Sequence, residues 1–295
     1  MKEQILVGVD GAAVGSTAAD WAAGRARDLG LQLNLVHAVP EPWAFPEKVL
    51  HENAIAQAKD LLNSESARIA SKIPSLNLVT TLCAGEPAES MRTLSADAEM
   101  VVVGTDRRPD NHGEGFGSVS FQIAIISYCA VAVVPSAAMT EASGVVVGVD
   151  GSRDSDLAVE CAANEAQRMG QELFVVHAVT EAGPAPSGSP VHWAESAGPE
   201  PDGHMLLSAS VEGLATRYPG LEVHDVLDLQ RAPAKALLDA SAHARLLVIG
   251  CKGKGGARVL VGSVAQQVLL NVQCPTLITR PALNPAPPDA PEPGR

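Results

Sequence analysis

The chain has 295 residues, of which 46% are hydrophobic, 19% charged and 3% aromatic. The length fits one large or two modest domains, and the composition fits a globular core of Ala, Val, Leu and Ile. With so few aromatic residues, the chain has few rings that could stack against unpaired bases. The formal net charge of -13 repels nucleic acid and anionic membranes at long range, so both are disfavoured as partners.

The sequence predicts a cytoplasmic protein that does not associate with a membrane. Its N-terminus runs directly into an apolar, strand-like segment and lacks the long apolar region and cleavage site of a signal peptide. No apolar run approaches the ~18–20 residues that span a bilayer. The five cysteines form no C-x-x-C pair, which argues against a disulfide framework or structural zinc and favours a reducing compartment.

Short apolar runs alternate with longer Ala-rich segments through the first half of the chain. In chain order, the predicted strands are Ile5–Val9, Leu33–Val39, Leu76–Leu82, Met100–Val103 and Val131–Val134. The predicted helices between them are about Ser16–Leu29, His51–Ser71, Ala88–Ala96 and Ser118–Ile126. Because the strands are apolar on both faces, they predict a parallel sheet that helices cover on both sides.

The second half of the chain repeats the first. ILVGVDG at Ile5–Gly11 returns as VVVGVDG at Val145–Gly151, an offset of 140 residues. LNLVHAV at Leu33–Val39 returns as LFVVHAV at Leu173–Val179 with the same offset, and later segments return at offsets of 145 and 146. The offset changes only where loops are expected, which indicates a tandem duplication.

We therefore predict a first domain at residues 1–140 (copy one), a second at residues 141–283 (copy two) and a disordered Pro-rich tail at residues 284–295. Each copy is expected to be an α/β, doubly wound, Rossmann-like domain with five parallel strands and helices on both faces. Such sheets bind ligands beyond the carboxyl ends of their strands, at the topological switch point. The residues that follow strands one, two and four are the candidates.

A glycine-rich loop, GCKGKGGARVLVGSV, follows the fourth strand of copy two at Gly250–Val264. Between a parallel strand and a helix, the N–H groups of such a loop can cradle a phosphate, and Lys252, Lys254 and Arg258 add positive charge. Ser263 is placed to cap the next helix or to bond a phosphate oxygen. The alternative is a solvated loop that uses glycine for tight turns. Neither a Walker A motif nor a G-x-G-x-x-G fingerprint occurs.

The first strand of each copy ends in V-G-V-D-G, with Asp10 and Asp150 at its carboxyl end. An Asp there can accept hydrogen bonds from a ribose or hold a metal attached to phosphates. It can equally cap the following helix or fix the turn, and the residues alone leave both roles open. Ser16 and Ser155 are predicted to cap the helices that follow.

Several residues of reactive types are interpreted as structural. His37 and His177 lack nearby partners at ligand spacing, so each is expected to make a single hydrogen bond. Cys129 and Cys274 precede strand five of each copy, where a small apolar side chain packs well. No triad, catalytic carboxylate pair or metal motif is recognisable in the sequence, so no catalytic residue and no metal ligand is assigned.

The succession V-G-V-D-G, L-V-H-A-V and V-I-G, followed by a glycine-rich loop ending in G-S-V, resembles the universal stress protein family. The resemblance covers essentially Lys2–Arg280 and is closest to the tandem two-domain form of actinobacteria. It implies two domains of the adenine nucleotide alpha hydrolase-like type. Family members with the signature G-x2-G-x9-G-[S/T] generally bind ATP. The implied function is therefore a stress sensor or regulator that works through nucleotide-dependent conformation or partner binding, with ATP as ligand, with or without Mg²⁺.

The resemblance also assigns contacts to both copies. Adenine would lie against the end of strand two, at Ala38, Val39, Ala178 and Val179. Ribose would lie near Asp10 and Asp150. Base and ribose would also touch Val103, Gly104, Ile249 and Gly250. Phosphates would lie on Gly253, Gly262, Ser263 and Val264 in copy two, and on Gly117, Ser118 and Val119 in copy one.

Each copy departs from the family signature in its own way. In copy one Arg107 stands where the second glycine belongs, and the acidic residues Asp106, Asp110 and Glu114 would repel a triphosphate. Copy two keeps both glycines, but eight residues instead of nine separate Gly253 from Gly262. A glycine-rich loop can adjust its backbone to the loss of one residue more easily than a side chain can be accommodated where the backbone must approach the ligand closely. We therefore predict that copy two binds nucleotide better than copy one.

Two other functions remain as alternatives: a weak ATPase, and an interaction scaffold that binds no nucleotide. The resemblance further implies that the two copies pair through their fifth strands as an internal pseudo-dimer, and that two chains associate as a homodimer. The sequence names no protein partner.

Overall fold

A computed structural model describes residues 3–106, 119–136, 142–179, 203–253 and 260–281. The predicted tail at 284–295 lies outside these residues, as do Gly117 and Ser118. Within the described segments, none of the helices combines the length and the apolar character required to cross a bilayer.

Copy one alternates strands and helices in the predicted order. Its elements are β1 (Gln4–Gly8), α1 (Ala13–Leu29), β2 (Gln32–Val39), α2 (Lys48–Lys72), β3 (Leu78–Ala84), α3 (Pro87–Ser95), β4 (Met100–Thr105), α4 (Val119–Ile126) and β5 (Ala130–Pro135). The five strands and four helices predicted from the sequence are confirmed. The third strand is shifted by two residues, because it pairs with β2 as far as Ala84 opposite Val39.

Copy two repeats this order, with an additional short helix before its third strand. Its elements are β6 (Val145–Gly148), α5 (Arg153–Met169), β7 (Leu173–Ala178), α6 (Gly203–Val211), α7 (Leu214–Arg217), β8 (Val223–Asp228), α8 (Pro233–Ala240), β9 (Leu246–Gly250), α9 (Ser263–Leu269) and β10 (Thr276–Thr279).

The ten strands form one sheet in the order β3-β2-β1-β4-β5-β10-β9-β6-β7-β8. Pairing is parallel within each copy, and β5 and β10 pair antiparallel, with Leu277 opposite Ala132. The predicted pairing through strand five is therefore present. In copy one the chain adds β2 and β3 on one side of β1 and then returns to add β4 and β5 on the other side. Copy two does the same around β6, so the two switch points lie between β1 and β4 and between β6 and β9.

The helices α1 and α5 each bury one face that consists mostly of small residues. In α1 the buried positions are Gly15, Ala18, Ala19, Ala22, Ala23, Arg25 and Ala26, and α5 repeats this spacing from Ser155 to Ala166. Alanines at intervals of three and four residues place one small-residue face on the sheet, which lets the helix axis approach closely. At the switch points the approach is closest: a Cβ on Gly250 would lie 2.8 Å from the backbone carbon of Asp154, and one on Gly104 would lie 2.5 Å from the carbonyl oxygen of Val14.

The predicted caps at Ser16 and Ser155 are wrong. Both helices begin earlier, because Asp10 and Asp150 each accept a hydrogen bond from the N–H two residues ahead and turn the chain there. The N-cap of α5 is Ser152, whose side chain accepts from the Ser155 N–H at 3.2 Å. Ser16 lies inside α1 and contacts α2 instead.

Candidate functional site

A cavity of about 500 Å³ opens at the switch point of copy two. It lies beyond the carboxyl ends of β6, β7 and β9, where the fold places ligands. The residues that the sequence analysis assigned to copy two all line it: Asp150, Ala178, Val179, Ile249, Gly250, Gly253, Gly262, Ser263 and Val264. The sequence-based assignment thus selects residues that converge in space from four separate segments of the chain.

Asp150 holds the turn at one wall of this cavity. Its Oδ1 accepts a hydrogen bond from the Ser152 N–H at 2.9 Å, so the turn-fixing role left open by the sequence is present. Its Oδ2 lies so close to Gly253 that a Cβ built there would be 2.5 Å away. Position 253 therefore tolerates a side chain only if Asp150 moves.

The two ends of the glycine-rich loop meet at the cavity. The Gly262 N–H donates to the Cys251 carbonyl at 2.8 Å, and the Cys251 N–H donates to the Thr279 carbonyl of β10 at 3.2 Å. The base of the loop is thereby attached to the sheet. Lys252 lines the cavity, whereas Lys254 and Arg258 lie outside the described residues.

Asp154 fixes the start of this loop, and the sequence analysis missed it. Its Oδ2 accepts from the Lys252 N–H at 3.0 Å and from the Cys251 thiol at 3.1 Å. Burial and then the Asp154 carboxylate raise the pKa of Cys251 to about 12, so this thiol stays protonated at neutral pH. A comparison of the two copies could have identified Asp154, because copy one has Val14 at the equivalent position.

The two histidines behave as the sequence predicted. His177 Nδ1 lies 2.8 Å from the Val149 carbonyl, and His37 Nδ1 lies 2.7 Å from the Val9 carbonyl. Since a carbonyl only accepts, Nδ1 carries the proton in both rings. Each bond ties strand two to the end of strand one. His177 also lines the copy-two cavity, a position that the sequence analysis did not assign to it.

Ser263 does not cap α9. Gly262 is the N-cap residue, without a side-chain hydrogen bond, and Ser263 is the first residue of the helix. The Gly262 N–H donates to the Cys251 carbonyl, and the helix starts one residue earlier than the capping interpretation requires. The Ser263 side chain lines the cavity.

The corresponding cavity of copy one is smaller, about 170 Å³. Of the predicted residues of copy one, five line it: Asp10, Ala38, Val103, Gly104 and Val119. Val39 is buried at the end of β2 and is not part of the lining, and Gly117 and Ser118 are outside the described segments. Val14 and Gly15 line this cavity, whereas of their copy-two equivalents Asp154 and Ser155 only Ser155 lines the larger one. The copy-one wall is therefore more apolar at this point.

Comparison with known proteins assigns the chain to a family. The sequence model described as "Universal stress protein family" matches twice, at residues 1–135 and 143–280. A universal stress protein of Mycobacterium tuberculosis is 31% identical over 312 residues, covering 96% of this chain and 97% of its own. A second one from the same organism is 30% identical, covering 94% and 96%.

A solved structure has the same overall architecture. A universal stress protein from Archaeoglobus fulgidus superposes with a TM-score of 0.70 at 17% identity, covering 95% of this chain and 97% of its own. At that identity the match supports the fold alone. The repeated family match, the full-length mycobacterial relatives and the shared fold lead to one conclusion: this chain is a member of the universal stress protein family, built from two family domains in tandem.

Proposed function

We propose that copy two binds an adenine nucleotide, ATP, and that the bound nucleotide regulates the conformation or the partners of the protein. One observation carries the proposal: the nine predicted residues line a single cavity of about 500 Å³ at the switch point. This volume lies within the range of about 300–1,000 Å³ that is typical of small-molecule sites.

The chemistry of the cavity walls suits the two ends of a nucleotide. Ala178, Val179 and Ile249 offer apolar surface for the adenine, and Asp150 offers a carboxylate for ribose hydroxyls. At the other end, Gly253 and Gly262 line the cavity without side chains, which allows phosphate oxygens to approach the backbone, and Lys252 supplies a positive charge. The N–H groups of Lys252 and Gly262 already donate to Asp154 and Cys251, and α9 has only seven residues. We therefore attribute phosphate binding mainly to the Lys252 side chain and the remaining N–H groups of the loop.

The lining favours binding over turnover. Asp150 is the one carboxylate among the described lining residues, and its Oδ1 is already bonded to the Ser152 N–H. Cys251 is a protonated thiol, and Nδ1 of His177 is bonded to a carbonyl. A regulator without an activated nucleophile therefore fits these residues better than an ATPase does. If Mg²⁺ accompanies the phosphates, Asp150 is the residue that could face it.

Copy one is proposed to bind nucleotide more weakly or not at all. Its cavity is about 170 Å³, and Val14 stands at the position of Asp154, the residue that holds the start of the copy-two loop. In the sequence, Arg107 stands at the position equivalent to Gly253. In copy two, a Cβ added at Gly253 would lie only 2.5 Å from Oδ2 of Asp150, so this position has no room for a side chain. We also propose a cytoplasmic location, which suits the five free cysteines, and a homodimer of two chains.

ATP titration of the purified protein tests the proposal. Gly253→Ala forces Asp150 out of its position, and the loss of one charged hydrogen bond predicts a Kd about tenfold or more higher than wild type. Gly24→Ala is the matched control, because a Cβ at Gly24 meets no atom within 4 Å. Unchanged affinity in Gly253→Ala would remove copy two as the site, and no binding by wild type would favour the scaffold alternative.

A further inference from the structure

Two ion pairs cross the junction between the copies on the α1–α5 side of the sheet. Arg25 of α1 pairs with Glu165 of α5, and their side chains are 8% and 5% exposed. Beside it, Arg168 donates to Asp28 at 2.7 Å. The Arg25–Glu165 pair is buried, where electrostatic matching has large consequences, whereas the Arg168 and Asp28 side chains are 22% and 33% exposed.

Each pair joins a residue to its own equivalent in the other copy. The offset between α1 and α5 is 140 residues, so 25 + 140 gives 165 and 28 + 140 gives 168. Residues that meet their own equivalents lie beside the pseudo-twofold axis of the sheet. The charges at both positions are reversed between the copies: Arg against Glu, and Asp against Arg.

Identical copies could not make these contacts. Pairing of copy one with a second copy one would place Arg25 against Arg25 and Asp28 against Asp28. Pairing of copy two with itself would place Glu165 against Glu165 and Arg168 against Arg168. Like charges at the buried position of Arg25 and Glu165 repel strongly, because solvent screens them much less than it screens exposed charges.

The neighbouring groups keep the central pair ionised. Burial alone would raise the pKa of Glu165, but Arg25 and Arg168 lower it below its usual value. Arg168 also donates to Glu165 at 2.8 Å, and the Trp21 ring lies 5.6 Å from the Arg25 guanidinium carbon. The contact is thus a charged network with its members held in place by both helices.

We propose that this charge reversal determines which surfaces can join at the β5–β10 junction: each copy accepts the unlike copy and excludes its own kind. The partner of the copy-one face is therefore a copy-two face, in the same chain or a second chain. This specificity is independent of the proposed nucleotide site. It also implies that further association of whole chains uses other surfaces than like-to-like pairing of these faces.

A charge-matched variant of the full chain tests the proposal. Glu165→Arg with Arg168→Asp gives copy two the charges of copy one, so that like faces like within the chain. We expect its thermal midpoint to fall by about 5–10 °C. Adding Arg25→Glu and Asp28→Arg reverses every charge, and the pseudo-twofold symmetry predicts recovery to within about 2 °C of wild type.

Glu52→Lys is the control, because it creates a like-charge pair with Lys48 on an exposed helix face and should shift the midpoint by less than about 1 °C. If the charge-matched variant does not fold, the fully reversed variant still tests the proposal, because its folding would show that complementary charges are what the junction requires. A wild-type midpoint for the charge-matched variant, or no recovery on full reversal, would overturn the proposal.

Discussion

The clearest difference between the two copies is a single side chain of the first long helix, which in copy two contacts the start of the glycine-rich loop. In copy two, Asp154 accepts hydrogen bonds from the Lys252 N–H and the Cys251 thiol, which fixes the backbone that the phosphates would meet. Copy one has Val14 at this position, which offers no acceptor. The ability to hold the loop thus depends on one residue that lies outside the motifs quoted from the sequence.

Asp154→Val transplants the copy-one residue into copy two. It leaves the Lys252 N–H without its acceptor, so we expect ATP affinity to fall about tenfold. Asp154→Asn keeps an acceptor oxygen and should remain within about threefold of wild type. ATP titration measures both, and thermal unfolding identifies any general loss of stability. Equal affinities for the Val and Asn variants would show that the hydrogen bonds do not position the loop.

Glu165 makes stability depend on pH. Its pKa is lowered in the folded protein, because the attraction of Arg25 and Arg168 outweighs burial. A lowered pKa adds stability that is complete above the unfolded value of about 4.3 and is lost as the pH falls through the folded value. We expect wild type to lose stability below about pH 4.3 more steeply than Glu165→Gln does. Thermal unfolding between pH 7 and pH 3 measures this, and parallel curves would contradict it.

At the scale of elements, the duplicated helices α1 and α5 begin differently. The N-cap of α5 is Ser152, whose Oγ accepts from the Ser155 N–H, whereas the N-cap of α1 is Ala12, which makes no side-chain hydrogen bond. Asp10 and Asp150 turn the chain equally in both copies. The cap is therefore an additional contribution in copy two.

Ser152→Ala gives α5 the residue that α1 already has. Loss of a serine cap typically lowers the free energy of unfolding by about 1 kcal/mol. Urea unfolding should detect this loss. Ser64→Ala, at an exposed position inside α2, is the control and should not destabilise, since alanine is a good helix former. If both variants unfold at the same urea concentration as wild type, the cap is not stabilising α5.

Elements were predictable from the sequence where the signal is local. The alternation of apolar strands and Ala-rich helices gave the strand and helix order of copy one correctly. The caps at Ser16 and Ser155 were not predicted correctly, because an Asp side chain two residues before the N-cap residue turns the chain and moves the helix start. A local pattern of polar residues does not reveal which of them turns the chain first.

At the scale of the whole molecule, the motifs predicted residues that line one cavity in copy two but not the residues that position them. The nine copy-two residues could be chosen because each belongs to a repeated motif or to the family pattern. Asp154 lies 97 and 98 residues from its two partners, so its role requires the folded chain. The same holds for Arg25 and Glu165, which meet only after the β5–β10 pairing has placed α1 beside α5.

Occupancy of copy two alone is the claim on which the proposed function rests: one chain is expected to hold one nucleotide. We would purify the protein without added nucleotide, denature it and separate the released small molecules by chromatography. We expect about one ATP per chain from wild type and clearly less from Gly253→Ala. Two per chain would contradict the ranking of the copies, and ADP alone would point to hydrolysis. No nucleotide, with none retained after ATP is added, would contradict the claim itself.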